Sequence, residues 1–314
     1  MRIVFMGTPE FSVFPLQSLI KKGHEVLLVV TQPDKANNRG NKINFSPVKQ
    51  AALDIGLQVA QPEKVKNNES FLEKLKELNP DCIVVSAYGK ILPKDMIEMP
   101  KYGCINIHGS LLPKYRGAAP IQWSIINGDE FTGVSIMKME EGLDSGPVYM
   151  MGQTVIGGKN ILEMYDELSK MGASLLIETL EKIETGVIET TEQDQSLATY
   201  ARLLKKEDGE LDFLKKPIEL VRLIRGLNPF VKTYTEYKGI KLIISYAEVI
   251  NEAAKHMPGT IIDASKEGIK VACGGEVLLI KKIQFPGKKE MTVADYLVGN
   301  KIELFEVLNS RKES

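Results

Sequence analysis

The sequence predicts an α/β protein with a Rossmann-like parallel sheet over residues 1–203 and a smaller OB-like β-barrel over residues 204–314. Three observations carry that expectation. Short apolar runs alternate with helix-like segments through the first half, and the runs are apolar throughout, the pattern of strands covered on both faces of a parallel sheet. A polar stretch rich in Thr, Glu and Gln interrupts the chain between Thr185 and Ala198, as linkers do. Beyond it come about five short strand-like runs, the number a small OB-type barrel needs.

In chain order, Arg2–Met6, Glu25–Thr31, Asp81–Ala87 and Gly103–His108 are the expected strands, with helices Phe11–Lys21, Pro47–Ile55 and Glu69–Leu78 between them. Strands near Thr132–Lys138 and Pro147–Val155 and a long amphipathic helix, Ile161–Ile183, close this first unit. The second opens with a helix, Pro217–Gly226, and continues through strand-like runs at Thr233–Tyr237, Lys241–Val249, Gly259–Asp263, Ile269–Ala272 and Val277–Ile283. Lys238-Gly239 between the first two of these is a tight-turn signal.

Composition is that of an ordinary globular chain, 43% hydrophobic and 26% charged. No apolar run approaches the ~18 residues a membrane span requires. The start turns at Gly7-Thr8-Pro9 too early for a signal peptide, so a cytoplasmic location is expected, with no membrane and no obligate protein partner. Cys82, Cys104 and Cys273 are far apart and lack zinc or redox spacing, so they read as buried small hydrophobes and no metal is expected. The net charge is −1, and the C-terminal part is the more basic, with Arg222, Arg225, Lys281, Lys282, Lys288 and Lys289 available to nucleic acid. Met6-Gly7-Thr8-Pro9-Glu10 has one glycine where a dinucleotide fingerprint needs three, which argues against an NAD enzyme.

The most informative segment is Gly103–Trp123. Its apolar start reads as a strand, so Asn106 and His108 project from one face near its C-terminal end, where open parallel sheets bind their ligands. An amide beside an imidazole offers a hydrogen-bond donor for a developing oxyanion and a group able to exchange a proton near neutrality, a combination suited to acyl transfer. From these two residues alone, a polar strand end solvating itself is an equally open reading. Downstream, Gly142-Leu143-Asp144-Ser145-Gly146-Pro147 is a turn whose glycines let the backbone bend around one carboxylate. Asp144 would orient His108 if folding brings them together, which spacing does not decide.

Ser110-Leu111-Leu112-Pro113 followed by Tyr115-Arg116-Gly117-Ala118-Ala119-Pro120-Ile121-Gln122-Trp123 resembles the signature of the methionyl-tRNA formyltransferase family. The likeness extends to Arg2–Phe11, Thr31-Gln32-Pro33-Asp34-Lys35 with Arg39-Gly40, Ser46-Pro47-Val48-Lys49 and Ala87-Tyr88-Gly89-Lys90-Ile91-Leu92-Pro93. It also covers Thr132-Gly133-Val134, the Gly142–Pro147 turn, and Glu207-Asp208-Gly209 with Asp212-Phe213. The Asn106, His108 and Asp144 set alone is shared with other formyltetrahydrofolate-using enzymes, including those acting on nucleotide sugars. The Arg-Gly-Ala-Ala-Pro-Ile-Gln run and the second domain narrow the resemblance to the tRNA enzymes.

The resemblance implies formyl transfer from 10-formyltetrahydrofolate to the α-amine of initiator methionyl-tRNA. It implies that Asn106, His108 and Asp144 are catalytic, that Ser110, Leu111, Leu112 and Pro113 line the folate site, and that residues 204–314 bind tRNA. Formyl transfer to a small amine such as a nucleotide sugar is the alternative. One departure is visible: after Asn228-Pro229 the family usually carries an aromatic-Pro-Gly sequence, and this chain reads Phe230-Val231-Lys232. The stretch from Pro33 to Ser46 is also long for a β-to-α connection, which usually takes ~2–6 residues. In the family the corresponding insertion enters the tRNA acceptor end, which makes Arg39 and Lys42 the expected tRNA contacts, with the loop ordering on binding.

Overall fold

The computed structural model describes residues 1–36 and 43–308. It divides into two compact units, one of Met1–Ile121, Phe131–Val155 and Leu162–Arg202, the other of Gln122–Glu130, Ile156–Ile161 and the chain from Leu203 onward.

The first unit begins with β1 (Arg2–Gly7), α1 (Val13–Lys21) and β2 (Glu25–Val30). Two-residue strands β3 (Lys35–Ala36) and β4 (Ile43–Asn44) pair antiparallel. Helix α2 (Pro47–Asp54) starts on Ser46, whose hydroxyl accepts the Lys49 amide, with Pro47 where no amide hydrogen is needed. Then come β5 (Val59–Ala60), α3 (Glu69–Leu78), β6 (Cys82–Ser86), α4 (Lys94–Glu98), β7 (Cys104–His108), β8 (Arg116–Gly117) and α5 (Pro120–Asn127). The C-terminal residues of α5 belong to the second unit. Strands β9 (Phe131–Lys138) and β10 (Val148–Val155), helix α6 (Ile161–Thr185) and β11 (Tyr200–Ala201) complete the series.

The main sheet has the order β10-β9-β7-β6-β1-β2-β5. Its five inner and edge strands β7, β6, β1, β2 and β5 are parallel, as the continuously apolar runs predict. The sheet as a whole is mixed, because β9 runs antiparallel to β7 and β10 antiparallel to β9. The cause is the path of the connection: the segment from Gly109 onward makes no crossover to the far end of the sheet, so β9 starts beyond the C-terminal end of β7 and returns past it, His108 pairing with Ser135 and Ile105 with Lys138. One face is closed by Phe71 and Leu75 of α3 and Met96 and Ile97 of α4 against Val4, Met6, Leu28, Val30, Ile83, Val85 and Cys104. On the other, α6 comes so close that a Cβ on Gly172 would stand 2.8 Å from Ile107 Cγ2.

Gly133, in the Thr132-Gly133-Val134 motif, is a tighter case. A Cβ there would lie 2.0 Å from the Gly152 carbonyl oxygen and 2.5 Å from Leu111 Cδ2. The carbonyl belongs to the β9–β10 ladder and cannot retreat without breaking it. Gly133→Ala therefore destabilises the protein by about 1–3 kcal/mol, the usual scale for overpacking, and urea denaturation with an unchanged slope is the check.

Helix α7 (Pro217–Leu227) opens the main run of the second unit, followed by β12 (Tyr234–Tyr237), β13 (Ile240–Ala253), β14 (Ile261–Ser265), β15 (Gly268–Cys273), β16 (Glu276–Gln284), β17 (Met291–Thr292) and α8 (Val293–Leu297). These strands form an antiparallel sheet in the order β12-β13-β16-β15-β14, with β17 beside β16. The 14-residue β13 shifts register three times against β16; such bulges raise twist and bend a strand, the coiling an OB-like barrel requires. Leu220 and Ile224 of α7 pack into the core of Leu242, Ile244, Val271, Leu278 and Ile280.

Two arginines that the sequence offers to nucleic acid are occupied within this unit. Arg225 Nη1 donates to the Gly157 carbonyl at 2.8 Å. The Arg222 guanidinium covers Gly128, where a Cβ would lie 2.2 Å from Cζ. Lys282, Lys288 and Lys289 are exposed. At the departure from the family pattern, the Asn228 amide donates to Thr233 Oγ1 at 2.7 Å. The Lys232 carbonyl lies where a Cβ on Gly209 would come within 2.2 Å. Phe230 is exposed.

Candidate active site

Every residue of β7 is buried, and the strand's alternation sends Asn106 and His108 to one face, as their spacing requires. His108 Nε2 lies 2.9 Å from the Tyr115 carbonyl oxygen. A carbonyl only accepts, so Nε2 carries the hydrogen. The imidazole is thereby held by one nitrogen, and the other, Nδ1, faces Asp144 Oδ2 at 3.7 Å.

Asp144 reaches this face by a return loop. Beyond β9, the Met139 amide donates to the Cys104 carbonyl at 2.8 Å, level with the start of β7, and the chain then folds back along the strand. The fold-back needs Gly146, where a Cβ would meet the Lys138 carbonyl oxygen at 2.1 Å. Asp144 itself adopts a left-handed backbone, φ 47°, a conformation Asp tolerates better than most residues. Its Oδ2 accepts the Gly117 amide at 2.8 Å, and its Oδ1 stands 3.4 Å from Asn106 Nδ2. Residues 38 apart in sequence are thus neighbours. The His108 side chain is 6% exposed and that of Asp144 16%, so the imidazole is enclosed and the carboxylate keeps an opening.

The segment Ser110–Pro113 wraps the next turn. Ser135 Oγ of β9 donates to the Ser110 carbonyl at 2.7 Å and accepts the Leu112 amide at 3.1 Å. Ser110 is fully buried, its hydroxyl donating to the Lys114 carbonyl at 2.6 Å, and Leu112 packs on Met137 and Val148. Leu111 and Pro113 are the half-buried members.

A second polar cluster stands at the C-terminal ends of β1, β2 and β5. Gln61 Nε2 donates to the Gln32 carbonyl and to Asp34 Oδ1, both at 2.9 Å, and its Oε1 accepts from Lys49 Nζ at 2.7 Å. Lys49 also pairs with Asp34. Hydrogen bonds from Lys49 and then Gln61 hold the Asp34 carboxyl below its usual range. The cluster braces the two ends of the long connection at Asp34 and Lys49. Arg39 and Lys42, the expected tRNA contacts between those ends, lie outside the described residues.

Burial pushes the Cys82 and Cys273 thiols up to about 12 and that of Cys104 higher still, which keeps them protonated and un-nucleophilic near neutral pH. Among the described residues no group of three His, Cys, Asp or Glu side chains is set to hold a metal ion. Among them, too, no helix is long and apolar enough to cross a membrane.

Ser135, Gly117 and Gln193 are site residues that sequence reasoning misses. Gln193 lies in the stretch expected to be a linker, yet its Nε2 donates to the carbonyls of Asp144 and Gly146 at 2.9 and 2.7 Å. The stretch is stitched to the first unit: Thr191 and Val148 exchange both backbone hydrogen bonds at 2.8 Å, and just beyond it β11 pairs with β8. Within the stretch Gln193 is buried while the polar residues around it are exposed, and composition does not separate the one from the others.

Residues 1–180 match the family model described as formyl transferase, and residues 203–301 match the model of the formyl transferase C-terminal domain. The methionyl-tRNA formyltransferase of Caldanaerobacter subterraneus subsp. tengcongensis is 48% identical over 303 residues, 96% of this chain and 98% of the relative. That of Clostridioides difficile is 47% identical over 310 residues, 98% of this chain and all of the relative. Among solved structures, the sugar 3N-formyl transferase WlaRD, crystallised with dTDP and 5-N-formyl-THF, superposes with a TM-score of 0.66 at 19% identity, covering 92% of this chain and 99% of that one. At that identity the likeness is one of fold.

Proposed function

The chain belongs to the methionyl-tRNA formyltransferase family, and from that premise we propose how its residues divide the work. The reaction moves the formyl group of 10-formyltetrahydrofolate to the amino group of methionyl-tRNA. We take the tRNA to be the initiator and the enzyme to work in the cytoplasm. The observation that carries the site reading is the return of Asp144 to the buried Asn106 and His108.

The folate donor brings an activated formyl carbon. The new bond joins the methionine nitrogen to that carbon, and the bond to N10 breaks. Negative charge grows on the formyl oxygen, and Asn106 Nδ2 and the Nδ1 hydrogen of protonated His108 are the donors for it; such stabilisation is commonly the largest single catalytic contribution. The amine must lose a proton and N10 must gain one. Asp144, a carboxylate on the open side of the trio, carries that proton directly or through water. Leu111 and Pro113, half-buried in the turn after β7, are the members of Ser110–Pro113 able to touch the folate, with Ser110 and Leu112 shaping the turn beneath. Arg39 and Lys42, with the second unit and its exposed Lys282, Lys288 and Lys289, bind the tRNA.

The test is to supply the enzyme with 10-formyltetrahydrofolate and either methionyl-tRNA or a nucleotide amino-sugar, following tetrahydrofolate release and product mass. Formylmethionyl-tRNA is the expected product, and formylation of the sugar alone would overturn the substrate assignment.

A further inference from the structure

The hydrogen bonds that fix Asp144 converge from two segments. Its carboxylate is held by the Gly117 amide of β8, and its backbone carbonyl by Gln193. Gln193 is 8% exposed, and its primary amide is fully engaged. The two Nε2 hydrogens go to the carbonyls of Asp144 and Gly146, and Oε1 accepts from Arg116 Nε at 3.1 Å and Nη2 at 2.7 Å.

Arg116 is 2% exposed. Its third bond, from Nη1, goes to Gln195 Oε1 at 2.8 Å, so among the described residues two neutral amides serve this buried cation. A guanidinium carries only donors, so it faces the oxygen end of the Gln193 amide and turns the NH2 end toward the loop. The direction of the amide, ordinarily ambiguous, is here set by chemistry. Arg116 also lies next to Gly117, so one two-residue strand both holds the carboxylate and orients the group that holds its backbone. The loop so clamped carries the left-handed Asp144, a conformation that persists where surrounding contacts over-determine it.

We propose that Gln193 is a positioning residue for Asp144 and that Arg116 acts by orienting Gln193, an inference that rests on the proposed role of Asp144. Gln193→Glu is the informative change. It conserves volume and keeps an acceptor for Arg116, but presents oxygen in place of the two donated hydrogens to the carbonyls of Asp144 and Gly146. A misplacement of about 1 Å at a reacting group costs ~10²-fold.

Steady-state kinetics with 10-formyltetrahydrofolate and methionyl-tRNA, alongside thermal melting, should give for Gln193→Glu a kcat lower by ~10 to 10²-fold, with both KM values within about threefold of wild type and a folded protein. Gln193→Met, which keeps the bulk and supplies no donor, should show the same split, and it serves if the glutamate variant does not fold. The double variant Asp144→Asn/Gln193→Glu should be no slower than Asp144→Asn alone, because residues acting as a unit are non-additive. Losses that multiply in the double variant, or a rise in KM at wild-type kcat, would overturn the clamp. Asp144→Asn at wild-type speed would remove the reading of Asp144. A slow Asp144→Asn beside Gln193 variants of wild-type speed would remove the clamp alone.

Discussion

Replacing His108 or Asn106 by alanine lowers the single-turnover rate by ~10² or more, the loss expected when one donor to a developing oxyanion is removed. His108 and Asn106 are 5% and 9% exposed, so melting curves must accompany the rates. His108→Ala also frees the Tyr115 carbonyl from its 2.9 Å hydrogen bond, a loss of about 1 kcal/mol on the usual scale. Among the described residues, Asn106→Ala releases one side-chain hydrogen bond, the long 3.4 Å contact to Asp144, so it should lose less to broken hydrogen bonding than His108→Ala. That difference separates the two roles a buried polar residue can have. If both variants turned over at near-normal rates while folded, neither side chain would belong to the chemistry. With the hydrogen on Nε2 committed to Tyr115, the part proposed for His108 falls to Nδ1. Labelled-histidine NMR of the free enzyme should therefore find a hydrogen on Nε2, the nitrogen that faces the Tyr115 carbonyl.

The Arg39→Ala/Lys42→Ala double variant should bind methionyl-tRNA with a flatter dependence on salt. Each neutralised phosphate contributes a slope of about 0.7–0.9 on a log–log plot of affinity against salt, so loss of two such contacts lowers the slope by about 1.4–1.8. Extrapolated from molar salt to ~0.15 M, that difference amounts to ~10-fold or more in affinity. Binding of 10-formyltetrahydrofolate should be unaffected. Lys49 and Asp34 at the ends of the same connection are tied to each other and to Gln61, so the substitutions leave its attachment to the sheet intact. Filter-binding titrations at several salt concentrations and kcat/KM for methionyl-tRNA are the measurements. A wild-type slope together with wild-type tRNA kinetics would give this stretch another purpose.

Much of the fold is legible in the sequence because its causes are local. The apolar runs at Arg2–Met6, Asp81–Ala87 and Gly103–His108 are strands β1, β6 and β7 within a residue or two. Glu69–Leu78 is a helix with Asn68 as its cap, the side chain accepting the Phe71 amide. The two-residue spacing of Asn106 and His108 puts them on one face whatever the rest of the chain does. The direction of β9 is a different matter, because an apolar strand reads alike in either direction. Whether a strand is parallel or antiparallel depends on the path of the segment joining it to its neighbour, here the stretch between His108 and Phe131 that carries β8 and α5. The same is true of Arg222 and Arg225, whose charge is plain in the sequence and whose attachment to the loops at Gly128 and Gly157 is not.

The sequence by itself thus determined the element order, the pairing of an amide with an imidazole at a strand end, and a glycine-flanked carboxylate downstream. Periodicity and turn chemistry act over a few residues and leave their mark there. Tertiary structure alone decided that the carboxylate meets the imidazole, which imidazole nitrogen faces it, and that a supposed linker supplies the amide holding it in place. Asp144 takes its hydrogen bonds from residues 27, 38 and 49 positions away. A hydrogen bond specifies only a donor and an acceptor a few ångströms apart, and any of the chain's many polar residues fits that description until the sheet closes and leaves these at the right distance.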